Sequence, residues 1–335
     1  MKAARVFVIV GIFLASVAGA RAQQDLSTQL SKVANSNAVN YLSPLLSAWG
    51  ADLNSGFYHS ADLHDVLGFD VGVKAGAVVV KDVDKVFDFV LPNQISYTYQ
   101  GVPVTLNAGS DYDNVIPGSP TAVGSSTGKT VTLKIKDSSP NILLRGKTIG
   151  TFTTPGGFDL KYAPLIMPQA AIGLPFGLEV IGRFVPNMTI GNNIAKVNFI
   201  GFGVRYSIDQ YLPMVPVDIA VHFMTQKLTV SDMDDNKVLG ASGTAYGIEV
   251  SKKLIFLTIY GGYQIERSTW SIDPYSYTDP FTSSTIKASG FSIDGKDKSR
   301  MHAGVRLLLL FVNLHADYSF ATQPVLTAGV GVSFR

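Results

Sequence analysis

The sequence predicts an all-β fold: an antiparallel transmembrane β-barrel of about 12–14 strands with a short α-helical N-terminal plug. Three observations carry this expectation. The chain opens with an export signal, no later run is long enough to cross a bilayer as a helix, and from Gly68 onward apolar residues recur at every second position.

Met1-Lys-Ala-Ala-Arg5 is a short basic segment, Val6 to Ala20 is apolar, and Ala20-Arg21-Ala22 gives a small-x-small cleavage pattern before Gln23. These are the parts of a secretory signal peptide over residues 1–22, so the mature chain is expected outside the cytoplasm. The apolar run falls short of the roughly 20 residues that a membrane helix needs. The 335 residues include no Cys, which excludes a disulfide framework, a thiolate metal site, a thiol nucleophile and a lipid-anchored N-terminal Cys. Basic and acidic residues nearly cancel, 27 against 25, so nothing resembles the clustered positive charge that nucleic acid demands.

Residues 23–67 read as the plug. Leu26, Leu30, Val33, Tyr41, Leu42, Leu45 and Trp49 recur at spacings of three and four, which places them along one helix face. Ser43-Pro44 suggests a cap followed by a first-turn proline, so two short helices are expected, with Gly50 ending the second. An apolar stripe requires burial, and the barrel interior would supply it; the alternative is that the helices seal the barrel from beneath. Leu30, Leu42, Leu45, Trp49, His59 and His64 are the plug candidates.

Residues 68–335 read as the barrel. Phe69, Val71, Val73, Ala75, Ala77 and Val79 alternate with Asp70, Gly72, Lys74 and Gly76; Val217–Met224, Leu257–Gln264, Val312–Phe320 and Leu326–Phe334 repeat the pattern. A soluble sandwich also alternates, with its polar face in water. Here the polar side is mostly Gly, Ser, Thr and scattered charges, which suits a crowded lumen. Aromatic residues such as Tyr206, Tyr263, Tyr318, Phe320 and Phe334 fall where an interfacial girdle would need them. Phe256-Leu-Thr-Ile-Tyr-Gly-Gly-Tyr263 matches Phe311-Val-Asn-Leu-His-Ala-Asp-Tyr318 in polarity, as hairpins added in succession should. Short turns such as Pro175-Phe176-Gly177 and long polar connections at 108–128 and 271–299 give the two-ended asymmetry of outer-membrane barrels.

The signal peptide, the short N-terminal helices, a barrel of about fourteen strands and a closing strand ending Val330-Gly-Val-Ser-Phe334 resemble the long-chain fatty-acid transporter (FadL-like) superfamily, in an uncharacterised branch. That family's Asn-Pro-Ala plug motif is absent from Asn35-Ser-Asn-Ala38 and from Asn54–Ala61, and Arg335 follows the terminal aromatic. The resemblance implies a helical N-terminus in the lumen and apolar cargo leaving sideways through the wall.

Candidate chemistry is sparse. His59 and His64 with Asp62 and Asp65 could ligate zinc or form a base and its orienter, or simply a hydrogen-bonded turn between plug and first strand. Alternation directs Lys74, Glu179, Arg183, Asp218, His222, Glu249, His302, Arg306, His315 and Asp317 inward, either to select solutes or to pair and fill the interior. No G-x-S-x-G elbow occurs, and Gly201-Phe-Gly203 and Gly329-Val-Gly331 are strand glycines rather than phosphate cradles. Trp270, Tyr275, Tyr277 and Phe281 form an aromatic segment that would catch a ligand outside or pack at the rim.

The expectation is therefore a passive outer-membrane transporter or channel for a small hydrophobic compound. It is not expected to be an enzyme and implies no cofactor or metal. A structural or surface-binding barrel with a filled lumen is the alternative, and an outer-membrane hydrolase the third. Expected partners are outer-membrane lipid and lipopolysaccharide, the barrel-assembly machinery and a small hydrophobic molecule, with no nucleic acid.

Overall fold

The structure, a computed structural model, describes residues 34–190, 195–212, 214–278 and 285–334. The expected export segment, Leu26, Leu30, Val33, Phe281 and Arg335 lie outside the described residues.

Helix α1 (Ala34–Leu53) leads into β1 (Phe69–Val79). Six short strands follow: β2 (Val86–Val90), β3 (Gln94–Tyr99), β4 (Val102–Asn107), β5 (Val115–Pro120), β6 (Thr130–Lys134) and β7 (Thr148–Thr153). Longer strands come next: β8 (Tyr162–Leu174), β9 (Leu178–Ile190), β10 (Ala195–Ser207), β11 (Asp218–Ser231), β12 (Lys237–Leu254) and β13 (Leu257–Ile272). After β14 (Tyr275–Thr278), β15 (Thr285–Ala288) and β16 (Phe291–Asp294), the chain ends with β17 (Ser299–Leu309), β18 (Val312–Phe320) and β19 (Val325–Phe334).

A closed antiparallel ring of ten strands runs β1-β8-β9-β10-β11-β12-β13-β17-β18-β19 and returns to β1. Ten corrects the expected 12–14. The difference lies in β2–β7, which pair among themselves as β2–β5, β3–β4 and β6–β7 and never join the ring. They are 5 or 6 residues long, too short for the roughly 9–11 that a spanning strand needs.

The chain forms two compact units. One comprises residues up to Leu45 with Lys81–Lys161 and Asp273–Phe291; the other comprises Leu46–Val80, Tyr162–Ile272 and Ser292 onward. The stretch expected as a continuous barrel from 68 to 335 is thus interrupted twice.

In the first unit, Phe89, Leu91, Ile95, Leu106, Tyr112, Ile135 and Leu144 are buried around the small hairpins. The first half of α1 belongs to this core. The Asn37 side chain brackets the Val90 peptide, donating to its carbonyl at 2.8 Å and accepting from its N–H at 2.9 Å. Tyr41 donates its hydroxyl to Gly156 O at 2.8 Å, and its carbonyl accepts from Ala122 N at 2.9 Å. Leu42 and Leu45, expected as lumen plug residues, are buried in this unit.

Helix α1 is continuous, which corrects the expected break at Ser43-Pro44 and end at Gly50. Pro44 removes one backbone hydrogen bond, yet both flanking halves are held by side-chain and backbone contacts that keep the axis going. Gly50 lies inside the helix because the barrel wall comes close: a Cβ there would sit 2.3 Å from Ser268 Oγ. The expected one-sided stripe is absent; Tyr41, Leu42, Leu45, Leu46, Ala48 and Ala51 are buried on every side.

In the barrel unit the two-residue period sorts side chains in and out. Val71, Val221, Phe223, Ile248, Ile259, Leu314, Val330 and Val332 are exposed on the outer wall, while their chain neighbours Asp70, Ala220, Glu249, Thr258, Asn313 and Ser333 are buried inside. Soluble proteins rarely expose an apolar surface of this extent. At the barrel end that carries the chain's last residue, strands join through short turns: Leu174–Leu178, Leu254–Leu257 and Leu309–Val312. Ile255, Phe256, Leu310 and Phe311 form two equivalent exposed turns, with Ile255 and Leu310 at φ 56 and 57. The internal repeat therefore marks two hairpins of the same turn geometry. The turn falls at Ile255-Phe256, and the polar Ser251-Lys-Lys253 lies within β12.

Candidate functional site

The lumen is occupied by the chain itself. From Leu46 the segment runs down the interior as the end of α1 and then as an irregular strap to Leu67. A helix ends with four carbonyls lacking intrahelical partners and with partial negative charge. Here wall cations and amides satisfy them. Arg300 donates to Ala51 O at 2.6 Å, and Arg183 donates to Leu53 O at 3.0 Å and Ser55 O at 2.6 Å. Gln226 joins Leu53 O, and Gln264 reaches Asn54 O at 2.8 Å. Arg300 is also bidentate on Glu266, at 2.7 Å to each oxygen.

A second cluster anchors the strap lower down. Arg205 bridges Glu179, at 2.6 Å, and Glu249, and also caps Ser60 O. His222 Nδ1 lies 2.9 Å from Glu249. His64 Nδ1 is 2.7 Å from Glu179 and its Nε2 is 3.1 Å from Ser333 Oγ, which in turn accepts from Arg306 at 2.9 Å. His59 sits 3.2 Å from Asp70 and stacks 4.7 Å from His315, and Asn313 also donates to Asp70. Tyr260 donates to Asp317 at 3.0 Å, while Ser251 donates to Asp218 at 2.9 Å. The rings of Phe57 and Tyr58 lie beneath Arg183 and Arg205, at 4.6 and 5.4 Å from their guanidinium carbons, and Tyr58 meets His302 at 5.0 Å.

These contacts place the sequence candidates. Glu179, Arg183, His222, Glu249, Arg306, His315 and Asp317 are buried among strap and wall; Asp218 and His302 are partly buried. Lys74 is buried, with no hydrogen-bond partner for its Nζ. His59 and His64 pair with wall carboxylates rather than with Asp62 and Asp65, and no cluster of three metal-ligating side chains exists among the described residues. Trp49 packs 6.0 Å from Trp270, which points into the lumen and is 2 % exposed. Trp270 is thereby moved from the expected outer aromatic group. Sequence reasoning missed Arg205, Arg300, Glu266, Gln169, Gln226 and Gln264, although Arg300 shares the parity of His302 and Arg306 on β17 and Gln226 that of Asp218 and His222 on β11.

The Asp52 carboxylate accepts from Ser55 Oγ at 3.2 Å and its other oxygen has no partner. It occupies the space above Gly76, where a Cβ would come within 1.5 Å of Oδ1. Burial in the lumen pushes its pKa up to about 8, against the pull of Ser55, Arg300 and Arg183.

Once packed, the lumen retains a cavity of about 10 Å³ between the strap and Gln264, Arg300, His302 and Asp317, roughly the space of one water.

The wall, by contrast, is open in one place. β8 and β9 pair only from Gln169↔Arg183 to Leu174↔Leu178. Beyond that rung, residues 162–168 pair with β1 on their other side and 184–190 with β10. Pro164, Pro168 and Pro186 offer no amide hydrogen in this stretch. A bulge sets Pro186 and Asn187 against Asn198, between the pairs Val185↔Phe199 and Met188↔Val197, and bulges bend a strand and interrupt its ladder. A pocket of about 690 Å³ occupies the gap. Its inner side is Leu165, Met167, Val185, Phe199 and Leu228, and its outer side is Ile166, Phe184 and Met188. All are apolar.

A closed antiparallel ring with an apolar outer wall and a polar, filled interior defines the outer-membrane β-barrel class. Within that class the chain belongs to DUF6588, a family of unknown function whose match spans residues 1–334. No curated protein matches the sequence. Among solved structures, it is similar to the β domain of the Bordetella autotransporter BrkA (12 % identity, 81 % of this chain and 100 % of that one, TM-score 0.33). It is also similar to the translocator domain of the autotransporter NalP from Neisseria meningitidis (9 % identity, 82 % and 90 % coverage, TM-score 0.31). A third is the P. putida toluene transporter TodX (10 % identity, 89 % and 94 % coverage, TM-score 0.25).

Proposed function

We propose that the protein is an outer-membrane barrel that takes up a small hydrophobic molecule and exchanges it with the bilayer through the gap between β8 and β9, passively and without a chemical step. One observation carries this reading: the apolar pocket sits where the wall is unpaired, while the lumen beneath it is closed. An apolar solute gains nothing from a polar channel, whereas a sideways path keeps it out of water throughout. Lateral passage is also the feature that the likeness to FadL-like transporters implies. The filled lumen equally suits a purely structural or surface-binding barrel, so the test must act on the gap alone.

Extending the β8–β9 register two residues past Gln169↔Arg183 places Met167 opposite Val185. Because the chain has no Cys, the pair Met167→Cys and Val185→Cys can be oxidised to a single disulfide that staples the gap. In proteoliposomes, transfer of the apolar fluorophore phenylnaphthylamine should fall on oxidation and return on reduction. Equal transfer in both states, or none above protein-free vesicles, would leave the structural reading in its place.

A further inference from the structure

We infer that the short-turn rim of the barrel is a lipid-binding surface, seated in the glycerol and headgroup zone of the inner leaflet rather than in the aqueous periplasm. The inference is independent of the lateral gap. Around the circumference of this end the chain exposes one bulky apolar side chain after another. They are Leu67 before β1, Phe176 between β8 and β9, Met214 between β10 and β11, Ile255 between β12 and β13, Leu310 between β17 and β18, and Phe334 at the end of β19. Phe176, Met214, Ile255 and Leu310 are between 85 and 95 % exposed. The register sets these elements at one end, since Phe69 pairs with Phe334 on one side and with Ile172 on the other.

Leu67, Phe176, Ile255 and Leu310 have φ between 56 and 69, a left-handed conformation that turns ordinarily give to Gly, Asn or Asp. The opposite end shows that ordinary solution. There the β11–β12 connection, Asp232-Met-Asp-Asp-Asn236, puts Asp235 at φ 64, and Asp232 accepts from the amides of Asp234 and Asn236 at 2.9 Å each. Leu, Phe and Ile in the same conformation combine backbone strain with exposed apolar surface, and water rewards neither. A lipid environment removes the second penalty.

The wall sets the depth. Counted from the turns, the outward row stays apolar from Leu257 to Ile265 on β13, from Leu309 to Met301 on β17, from Val312 to Phe320 on β18 and from Phe334 to Leu326 on β19. Beyond these rows come Arg267 on β13 and Ser299 on β17. A row of 9 residues, at about 3.3 Å each and tilted by about 40°, rises about 23 Å, against an apolar band of about 25 Å. The rows therefore need the turn tips to complete the band, and no polar skirt holds the rim away from the membrane. Because the rim continues the lipid-facing wall without a break, its partner is lipid. Lys252, outward on β12 near the rim, donates to the Pro216 carbonyl of the neighbouring connection, as a cation at an interface turns toward polar groups. Short turns face the periplasm in this class of barrel, which makes the leaflet the inner one.

Because the chain has no Cys, single substitutions place one fluorophore at a time. The full chain carrying Ile255→Cys or Leu310→Cys, with Asp234→Cys as the opposite-end reference, is labelled with nitrobenzoxadiazole and reconstituted at one barrel per phosphatidylcholine nanodisc. The labels at Ile255 and Leu310 should be blue-shifted relative to that at Asp234. They should lose most of their quenching by aqueous iodide and gain quenching by phosphatidylcholine spin-labelled high on the acyl chain. The label at Asp234 should show the reverse. Heat-modifiable gel mobility establishes that each labelled variant is folded, and Phe256→Cys and Phe311→Cys replace any that is not. Iodide access at the rim equal to that at Asp234 would put the rim in water and overturn the inference. Labels shielded from both quenchers would overturn it too, since protein rather than lipid would then cover the tips.

Discussion

Arg183 shows how a single wall residue can hold the plug. Its two terminal nitrogens cap carbonyls on either side of the helix end, its Nε reaches Gln169 at 2.9 Å, and its plane covers Phe57. Arg183→Met should cost about 2–4 kcal/mol in urea titrations in detergent, because buried carbonyls are left unmade. Arg183→Lys should recover little of this, since one ammonium cannot span both acceptors. Asp52 is the opposite kind of residue, one whose charge the fold resists. Its pKa in the folded state, raised to about 8, exceeds the unfolded value, so the folded chain binds an extra proton between roughly pH 4 and 8. Its contribution to stability is greatest at the acid end of that window and is lost as pH rises through it. Asp52→Asn should flatten this slope, and thermal unfolding in detergent between pH 5 and 9 reads it directly; an unchanged slope assigns the dependence elsewhere. Gly76→Ala should mimic the loss at every pH by evicting the Asp52 side chain. At this scale the sequence was half legible. Alternation points Arg183 and Glu179 inward, but it carries no information on partners more than a hundred residues away, so it does not show that Arg183 grips the helix end and Glu179 the strap at His64.

Strands and helix behave differently as readable units. A period of two survives wherever one face meets lipid and the other the lumen, which is why β1, β11, β13, β18 and β19 were recognisable. The segment holding β2–β7 gave no such clear period, and its strands are too short to cross. Helix α1 hid its continuity because Pro44 and Gly50 are local stop signals that tertiary contacts override. The gap was signalled by Pro164, Pro168 and Pro186 within otherwise strand-like runs, a sign that sequence reasoning passed over. Face assignments have a direct consequence. Arg at Val221, Leu314 or Val330, all exposed on the outer wall, should cost about 2–4 kcal/mol if placed at mid-bilayer depth. Ser319 is buried inside, and a Cβ at Gly331 would meet Val71 O at 2.8 Å. Changes there should act through packing against neighbours. Urea titrations in lipid that rank both sets alike would contradict the facing scheme.

For the barrel unit as a whole, the decisive question is whether solute moves along its axis or through its wall. Arg183, Arg205 and Arg300 tie the strap to several strands at once, and the remaining cavity of about 10 Å³ holds one water at most. Among the described residues the strap fills the lumen, so planar-bilayer recordings of the full chain should show near-zero conductance. Loosening the helix end with Arg183→Met and Arg300→Met should produce intermittent openings, because the strap then loses its upper anchors while Arg205 keeps the lower ones. Stapling β8 to β9 should leave conductance at zero yet reduce apolar transfer, since the gap and the axis are separate routes in this geometry. Sustained porin-like currents from the unmodified protein would mean that the strap leaves the lumen readily, and the case for a sideways path would lose its premise: a solute that can travel the axis has no need of a break in the wall.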